Sequence, residues 1–433
     1  MDTMNAVVSQ IHTLSTRNDS DLKKLKDFLR NDLEILKTLA GQIDQALPLL
    51  DPAQHTLGVA FLLAAQLSAG VYSNRRLTFA YVGNFLRVAD EQQLKKASVQ
   101  ANSLCKSYAQ MAVDDGQQAM LQSIAPLRCA IEKLRPDPET MTPVHSEYLR
   151  VCLKAKAYHL GVRILDQPIF DIAPTSNNCM HMTAASFLCY FYYGALIRIG
   201  MKEYTQALQL LLVTLTCPAS CLSAIQADAY KKYALVSLKI NGELQPLPAY
   251  ASHIVHRFAK NAGYAVEIAE AFKQGDPAAL ARVVEEKAAA IQADNNMGLV
   301  KQVVESLHRH KVQTLTKTYL TLSLAEIARE LGLEESRTPE VEELLFDMIS
   351  SGEINARIEQ NTGNVSFEGE DEEMDVGMVD ELQDQLQQIL ELASRVSSFE
   401  QEILSSEAYI RKTTTFEGER TGTALGAYDF MDM

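Results

Sequence analysis

The sequence predicts a mainly α protein: a helical-repeat solenoid, then a small module of helices and strands, then one long helix. Three observations carry that prediction. Apolar residues recur at helical spacing over most of the chain, with breaks roughly every 15 to 25 residues. Between Ile354 and Phe367 the period switches to that of a strand. From Val379 to Ile410 a single apolar seam runs on at spacings of mostly three and four. The implied organisation is a repeat region over 1–182, further repeats over 183–296, the small module over 297–368, an acidic hinge over 369–378, the long helix over 379–411 and a polar tail over 412–433.

Composition narrows the function classes. A chain of 433 residues has room for two or three domains and a large core. A net charge of -15 disfavours general binding to nucleic acid or to anionic membranes. Seven scattered cysteines, an odd number, read as reduced, buried thiols of an intracellular protein. Met1–Gln10 has neither the basic start nor the apolar core of a signal peptide. The most apolar stretch, Leu57–Val71, is shorter than a membrane span and contains Gln66 and Ser68, so a buried helix is expected and no transmembrane segment.

The first half is rich in helix formers. Leu22, Leu25, Phe28, Leu29 and Leu36 share roughly one face after the caps at 19–21. Further helices are expected over Gln54–Leu67, Arg75–Arg87, Glu91–Ala112 and Gln117–Leu134, and the three prolines of Arg135–Pro143 mark a linker. Thr183–Leu215 is the clearest repeat. Leu188, Tyr192, Ala195 and Leu196 form one stripe, Gly200 closes it, and Tyr204, Ala207, Leu208 and Leu211 open the next. Small residues at contact positions with an aromatic and a turn glycine resemble a tetratricopeptide repeat, although no strict period holds. Stripes at Ile225–Leu238, Tyr264–Phe272 and, after the Asp276-Pro277 cap, Leu280–Ile291 lead into the module.

The module opens with Leu299, Val300, Val303, Val304 and Leu307 on one helical face. Tyr319–Leu322 reads as a brief strand. Ser323 with Glu326 is a capping-box pair, and Gly332 suits the stop. Thr338 and Pro339 start a second helix, with Val341, Leu344, Leu345, Met348 and Ile349 on its inner side and Gly352 at its end. Ile354, Ala356 and Ile358 then alternate with polar residues, 361–364 turns, and Val365 and Phe367 return. Helix, strand, helix, helix, hairpin is the order of a winged helix. Its second short helix carries Glu340, Glu342, Glu343 and Asp347 and no Lys or Arg, which argues against DNA binding, because phosphate contacts need cations.

No Lys, Arg or His occurs from Ile358 to Ser394, and the run Glu368–Asp375 reads as a solvated hinge. Val379, Leu382, Leu386, Ile389, Ala393, Val396, Phe399, Ile403 and Ile410 then form a seam that calls for partner helices. The tail ends in Tyr428–Met433, read as a loose terminus. Signs of chemistry are sparse. Cys217 and Cys221 lack the second pair that structural zinc needs, Cys179 with His181 is as weak, and His308 and His310 point differently on one helix and read as surface residues. There is no phosphate-binding Gly-rich loop and no nucleophile elbow. No cofactor, metal or catalytic residue is expected, and a non-enzyme is the reading that follows.

Helical repeats running into a winged helix resemble the PCI domain shared by subunits of the proteasome lid, the COP-nine signalosome and translation initiation factor three. The similarity covers about 183–367. It is most specific at Leu315-Thr316-Lys317-Thr318-Tyr319-Leu320-Thr321-Leu322-Ser323, at Met348-Ile349 with Gly352-Glu353-Ile354, and at Val365-Ser366-Phe367. Those residues, with Asp51 and His55-Thr56-Leu57-Gly58-Val59, are most similar to signalosome PCI subunits; a lid or initiation-factor subunit is the alternative. The resemblance implies a scaffold in the cytoplasm and nucleus whose winged helix pairs edge to edge through Ile354, Ala356, Ile358, Val365, Ser366 and Phe367. The seam Val379–Ile403 would join a helical bundle. Implied partners are other PCI subunits, the metalloprotease-type subunits of the complex and, through the complex, cullin-RING ligases, from whose cullins a ubiquitin-like modifier is removed. The isopeptidase of that complex holds zinc with His-x-His followed by Ser and Asp. Here His308-Arg309-His310 is followed by Thr318 and Thr321, so the carboxylate ligand is missing.

Overall fold

A computed structural model describes residues 2–15, 18–172, 182–333, 338–359, 363–367, 376–407 and 409–412. The chain forms two compact units. One is Met1–Thr318 with Ser323–Met348; the other is Tyr319–Leu322 with Ile349–Met433.

The first unit is a succession of helices, many packed on their neighbours in sequence, around two apolar cores. At the centre of the first core lies the helix Thr56–Ala69, buried on every side from Thr56 to Gln66, as its continuous apolar run requires. It is covered by the helices Asp19–Asn31, Leu33–Thr38, Ala40–Ala46 and Ser98–Asp114. Gly58 permits the close approach of Ile11, whose Cγ2 lies 2.6 Å from where a Cβ would stand. Gln66, the polar residue in this run, donates to Asp44 Oδ1 at 2.6 Å, so burying its amide leaves that donor paired.

The stretch expected as one helix over Glu91–Ala112 is two, Glu91–Lys96 and Ser98–Asp114, because Ala97 leaves helical geometry. The bend escapes a periodicity reading because Leu94, Ala101 and Leu104 are buried on both sides of it. Gln93, just before it, ties the turn to the central helix: its Nε2 donates to the Gln54 carbonyl and its Oε1 accepts from the Leu57 N–H. The proline linker contains β1 (Thr140–Met141), parallel to β2 (Asp171–Ile172), a pair too short for alternation to show.

The helix Ala184–Gly200 serves both cores: Tyr190 and Ile197 belong to the first, Ala195 to the second. Tyr204–Thr216 packs on it, and Ala224–Asn241 packs on that in turn, which is the repeat pattern the sequence suggested. Tyr264–Gln274, Pro277–Glu286 and Met297–Thr318 continue the stack, with Asp276 capping at Ala278 N as expected. The helix Leu324–Glu330 and the helix Thr338–Ser350 as far as Met348 complete the first unit's share of the module. The Ser323–Glu326 capping box is present, Glu326 N–H donating to Ser323 Oγ and Ser323 N–H to the Glu326 carboxylate.

The second unit holds the sheet strands and the long helix. β3 is Thr321–Ser323, shifted from the expected 319–322; β4 is Ala356–Glu359 and β5 Asn364–Phe367. The long helix starts at Val376 and runs to Ser405, so the last three residues assigned to the acidic hinge are helical. The rest of that acidic run and the tail from 413 lie outside the described residues, as do Cys179 and His181.

Candidate interaction surfaces

Two surfaces follow from the way the second unit is built. The first is the small sheet, whose strand order is β3-β5-β4. β4 and β5 are antiparallel, with Ala356 opposite Phe367, Arg357 opposite Ser366, Ile358 opposite Val365 and Glu359 opposite Asn364. On its other side β5 meets the β3 segment, where Phe367 N–H donates to the Leu320 carbonyl at 2.8 Å.

That order corrects one expectation. Val365, Ser366 and Phe367 lie on the central strand, paired on both sides, and Val365 and Phe367 are core residues. They are not an edge. In sequence the two arms of the hairpin look equivalent, and only the docking of β3 distinguishes them. Ile354 is also buried and lies before the strand rather than on it. β4 remains an edge, with Ala356 and Ile358 half-buried and Arg357 and Glu359 exposed. The opposite edge is β3, next to exposed Tyr319 and Leu320, a segment whose sequence marks a strand without marking it as an edge.

The second surface is the helix Val376–Ser405. Leu382, Leu386, Ile389, Val396, Phe399 and Ile403 are exposed, Leu386 at 60% and Ile389 at 59%. Ala393 is exposed as well, and the side chain of Val379 lies outside the description. Leu390, Leu392 and Leu404, absent from the expected seam, are exposed too. At about 100° per residue, Leu390 and Leu392 fall on opposite flanks of Ile389. The apolar face is therefore broader than a two-stranded coiled-coil stripe.

Residues considered for chemistry have packing roles. His310 is not a surface residue: one ring nitrogen, Nε2, lies 2.9 Å from the Lys239 carbonyl, and its ring meets Phe272 edge-on. His308 is half-buried with an Nδ1 that finds no partner, and burial pushes its pKa below the usual histidine value. Both depart from the surface reading because this helix packs against Ala224–Asn241 on one side and Pro277–Glu286 on another. Cys217 is half-buried and Cys221 exposed, so the reading of both as buried thiols fails for Cys221. Among the described residues, no group of three or more His, Cys, Asp or Glu is placed to hold a metal ion, and no helix is long and apolar enough to cross a membrane.

Comparison with known proteins agrees with this architecture. The family profile of the COP9 signalosome complex subunit 3 N-terminal helical repeats matches residues 19–255, and that of the PCI domain matches 280–368. The COP9 signalosome complex subunit 3 of Arabidopsis thaliana is 32% identical over 437 residues, covering 100% of this chain and 96% of the relative. The protein of the same name from Drosophila melanogaster is 30% identical over 421 residues, covering 94% and 93%. Both relatives match along nearly their whole length, and the helical repeats followed by a PCI domain stand in the same order here. The chain belongs to the COP9 signalosome complex subunit 3 family.

Proposed function

We propose that this chain is a non-catalytic scaffold subunit of a COP9 signalosome, present in cytoplasm and nucleus. The complex would remove a ubiquitin-like modifier from cullins and so regulate cullin-RING ubiquitin ligases, with hydrolysis carried by a metalloprotease-type subunit. The observation that carries this reading is the exposed apolar face of the helix Val376–Ser405. A face of that size in water is an interaction site or a liability. Its breadth suits a bundle in which two neighbours cover it, one on the Leu390 flank and one on the Leu392 flank. The β4 edge at Ala356–Ile358 offers a second contact, since an edge strand accepts another strand by backbone pairing. The family assignment favours the signalosome over the proteasome lid or initiation factor three.

The test is affinity purification of the tagged chain from cell extract, with mass spectrometry of the bound set. Signalosome sister subunits are expected in near-equal amounts; lid or initiation-factor subunits in their place would overturn the assignment. The chain purified alone with added zinc should cleave no modified cullin. Turnover abolished by His308→Ala would refute the non-catalytic role.

A further inference from the structure

From Leu382 to Leu404 the apolar face of the helix Val376–Ser405 contains one charged residue, Glu400. At about 100° per residue the exposed apolar side chains span an arc of about 180°, from Phe399 on one flank to Leu390 on the other. Glu400 falls about 20° from Ile389, close to the middle of that arc. Its neighbours one turn away are Val396, Ile403 and Leu404, all exposed. The other charges of this stretch, Asp384, Glu391, Arg395 and Glu402, fall on the opposite side. Gln385 and Ser397 also enter the arc, but neither carries a charge.

The chain supplies Glu400 with no counter-charge of its own. Its side chain is exposed, without a hydrogen bond or ion pair among the described residues. Arg395 lies on the far side and pairs with Glu391 at 3.4 Å. No Lys, Arg or His stands between it and Arg411, which pairs with Glu407 at 2.6 Å. A helix laid over Val396, Ile403 and Leu404 would take the Glu400 carboxylate out of water with them. Burying a carboxylate is costly unless an opposite charge meets it.

Resting on the scaffold reading above, we infer that Glu400 sets the partner and the register of this face: the sister-subunit helix that covers it places a Lys or Arg opposite Glu400. A single polar residue in an apolar seam has that effect, because wrong partners and wrong registers leave it unpaired. The other occupants fail on charge. A second copy of the chain has no cation on this face to offer. An anionic membrane surface would bury the carboxylate among acyl chains beside further negative charge, and nucleic acid would bring phosphates.

The test uses the full chain reconstituted with its sister subunits, with dissociation constants measured for the parent and two variants. Glu400→Leu extends the apolar face, so a carboxylate that is merely tolerated would give tighter binding on its removal. A paired carboxylate gives the opposite sign: the sister cation is left buried alone, and affinity should fall at least about tenfold. Glu400→Lys should cost about a hundredfold and be rescued by reversing one Lys or Arg of the covering helix to Glu. Both free variants should melt within a few degrees of the parent, since the site is exposed. Unchanged or tighter binding of Glu400→Leu overturns the inference, as does a Glu400→Lys defect that no single reversal rescues. In either case a parent chain that still joins its sisters leaves the scaffold reading standing. A parent chain that never enters the complex refutes that reading, and this inference with it.

Discussion

Replacing Leu386 and Ile389 together by Asp should separate assembly from folding. Both side chains are about three-fifths exposed, so the free chain loses little apolar burial when they change. Exposed substitutions of this kind stay within about 0.5 kcal/mol per site, with a similar small cost for the lower helix propensity of Asp. A partner that covers the ridge would bury what is now in water. Full burial of a Leu or Ile is worth about 1.5–3 kcal/mol, so the exposed share amounts to about 1–2 kcal/mol per residue. Losing both costs about 2–4 kcal/mol of association, and forcing two carboxylates into an apolar seam adds the cost of desolvating them. The expected loss of affinity is at least about a thousandfold. Size-exclusion chromatography of the reconstituted complex, with the Tm of the free variant, reads both halves. The variant should elute alone and melt within a few degrees of the parent. Retained co-elution would refute the bundling role, and a large drop in Tm would show that the ridge already packs within the chain.

Other outcomes follow from single sites. Gly58→Ala should destabilise the first core by about 1–3 kcal/mol through overpacking against Ile11, partly offset by helix propensity, as read by denaturant unfolding. Ser323→Ala removes the oxygen that accepts the Glu326 N–H and should cost about 1 kcal/mol, measured in the same way. His145 makes stability depend on pH. Burial drives its pKa down to about 4, and its Nδ1 accepts from the Thr142 N–H only when unprotonated. The unfolded chain takes up the proton near the ordinary value of 6.5, so the neutral form's contribution is complete above about pH 6.5 and is lost as pH falls towards 4, by up to about 3 kcal/mol. His145→Gln should flatten the unfolding free energy over that window; an unchanged slope would show that His145 is not the group responsible.

Much of the fold was legible because its signals are local. The Ser323–Glu326 box, the Asp276-Pro277 start and the uninterrupted apolar run around Phe61 each encode their own conformation, and each is present as expected. The long helix was legible for the same reason, since a seam repeated over many turns has no competing explanation. What escaped depends on residues far apart in sequence. The bend at Ala97 preserves the apolar stripe and therefore hides from periodicity. The central place of β5 is fixed by a strand more than forty residues earlier, so Val365 and Phe367 were misread as an edge. His310 carried no sign in sequence that its ring would pack against Phe272 near the Lys239 carbonyl. Leu390 and Leu392 were omitted because a strict three-and-four spacing describes a narrow stripe, whereas the exposed face is wide.

Hydrogen–deuterium exchange on the helix Val376–Ser405, in the free chain and in the assembled complex, tests most directly whether the protein works by lending this surface to its neighbours. The account predicts rapid exchange in the free chain and strong protection around Leu386–Val396 on assembly. Equal protection in both states, or none in either, would contradict it.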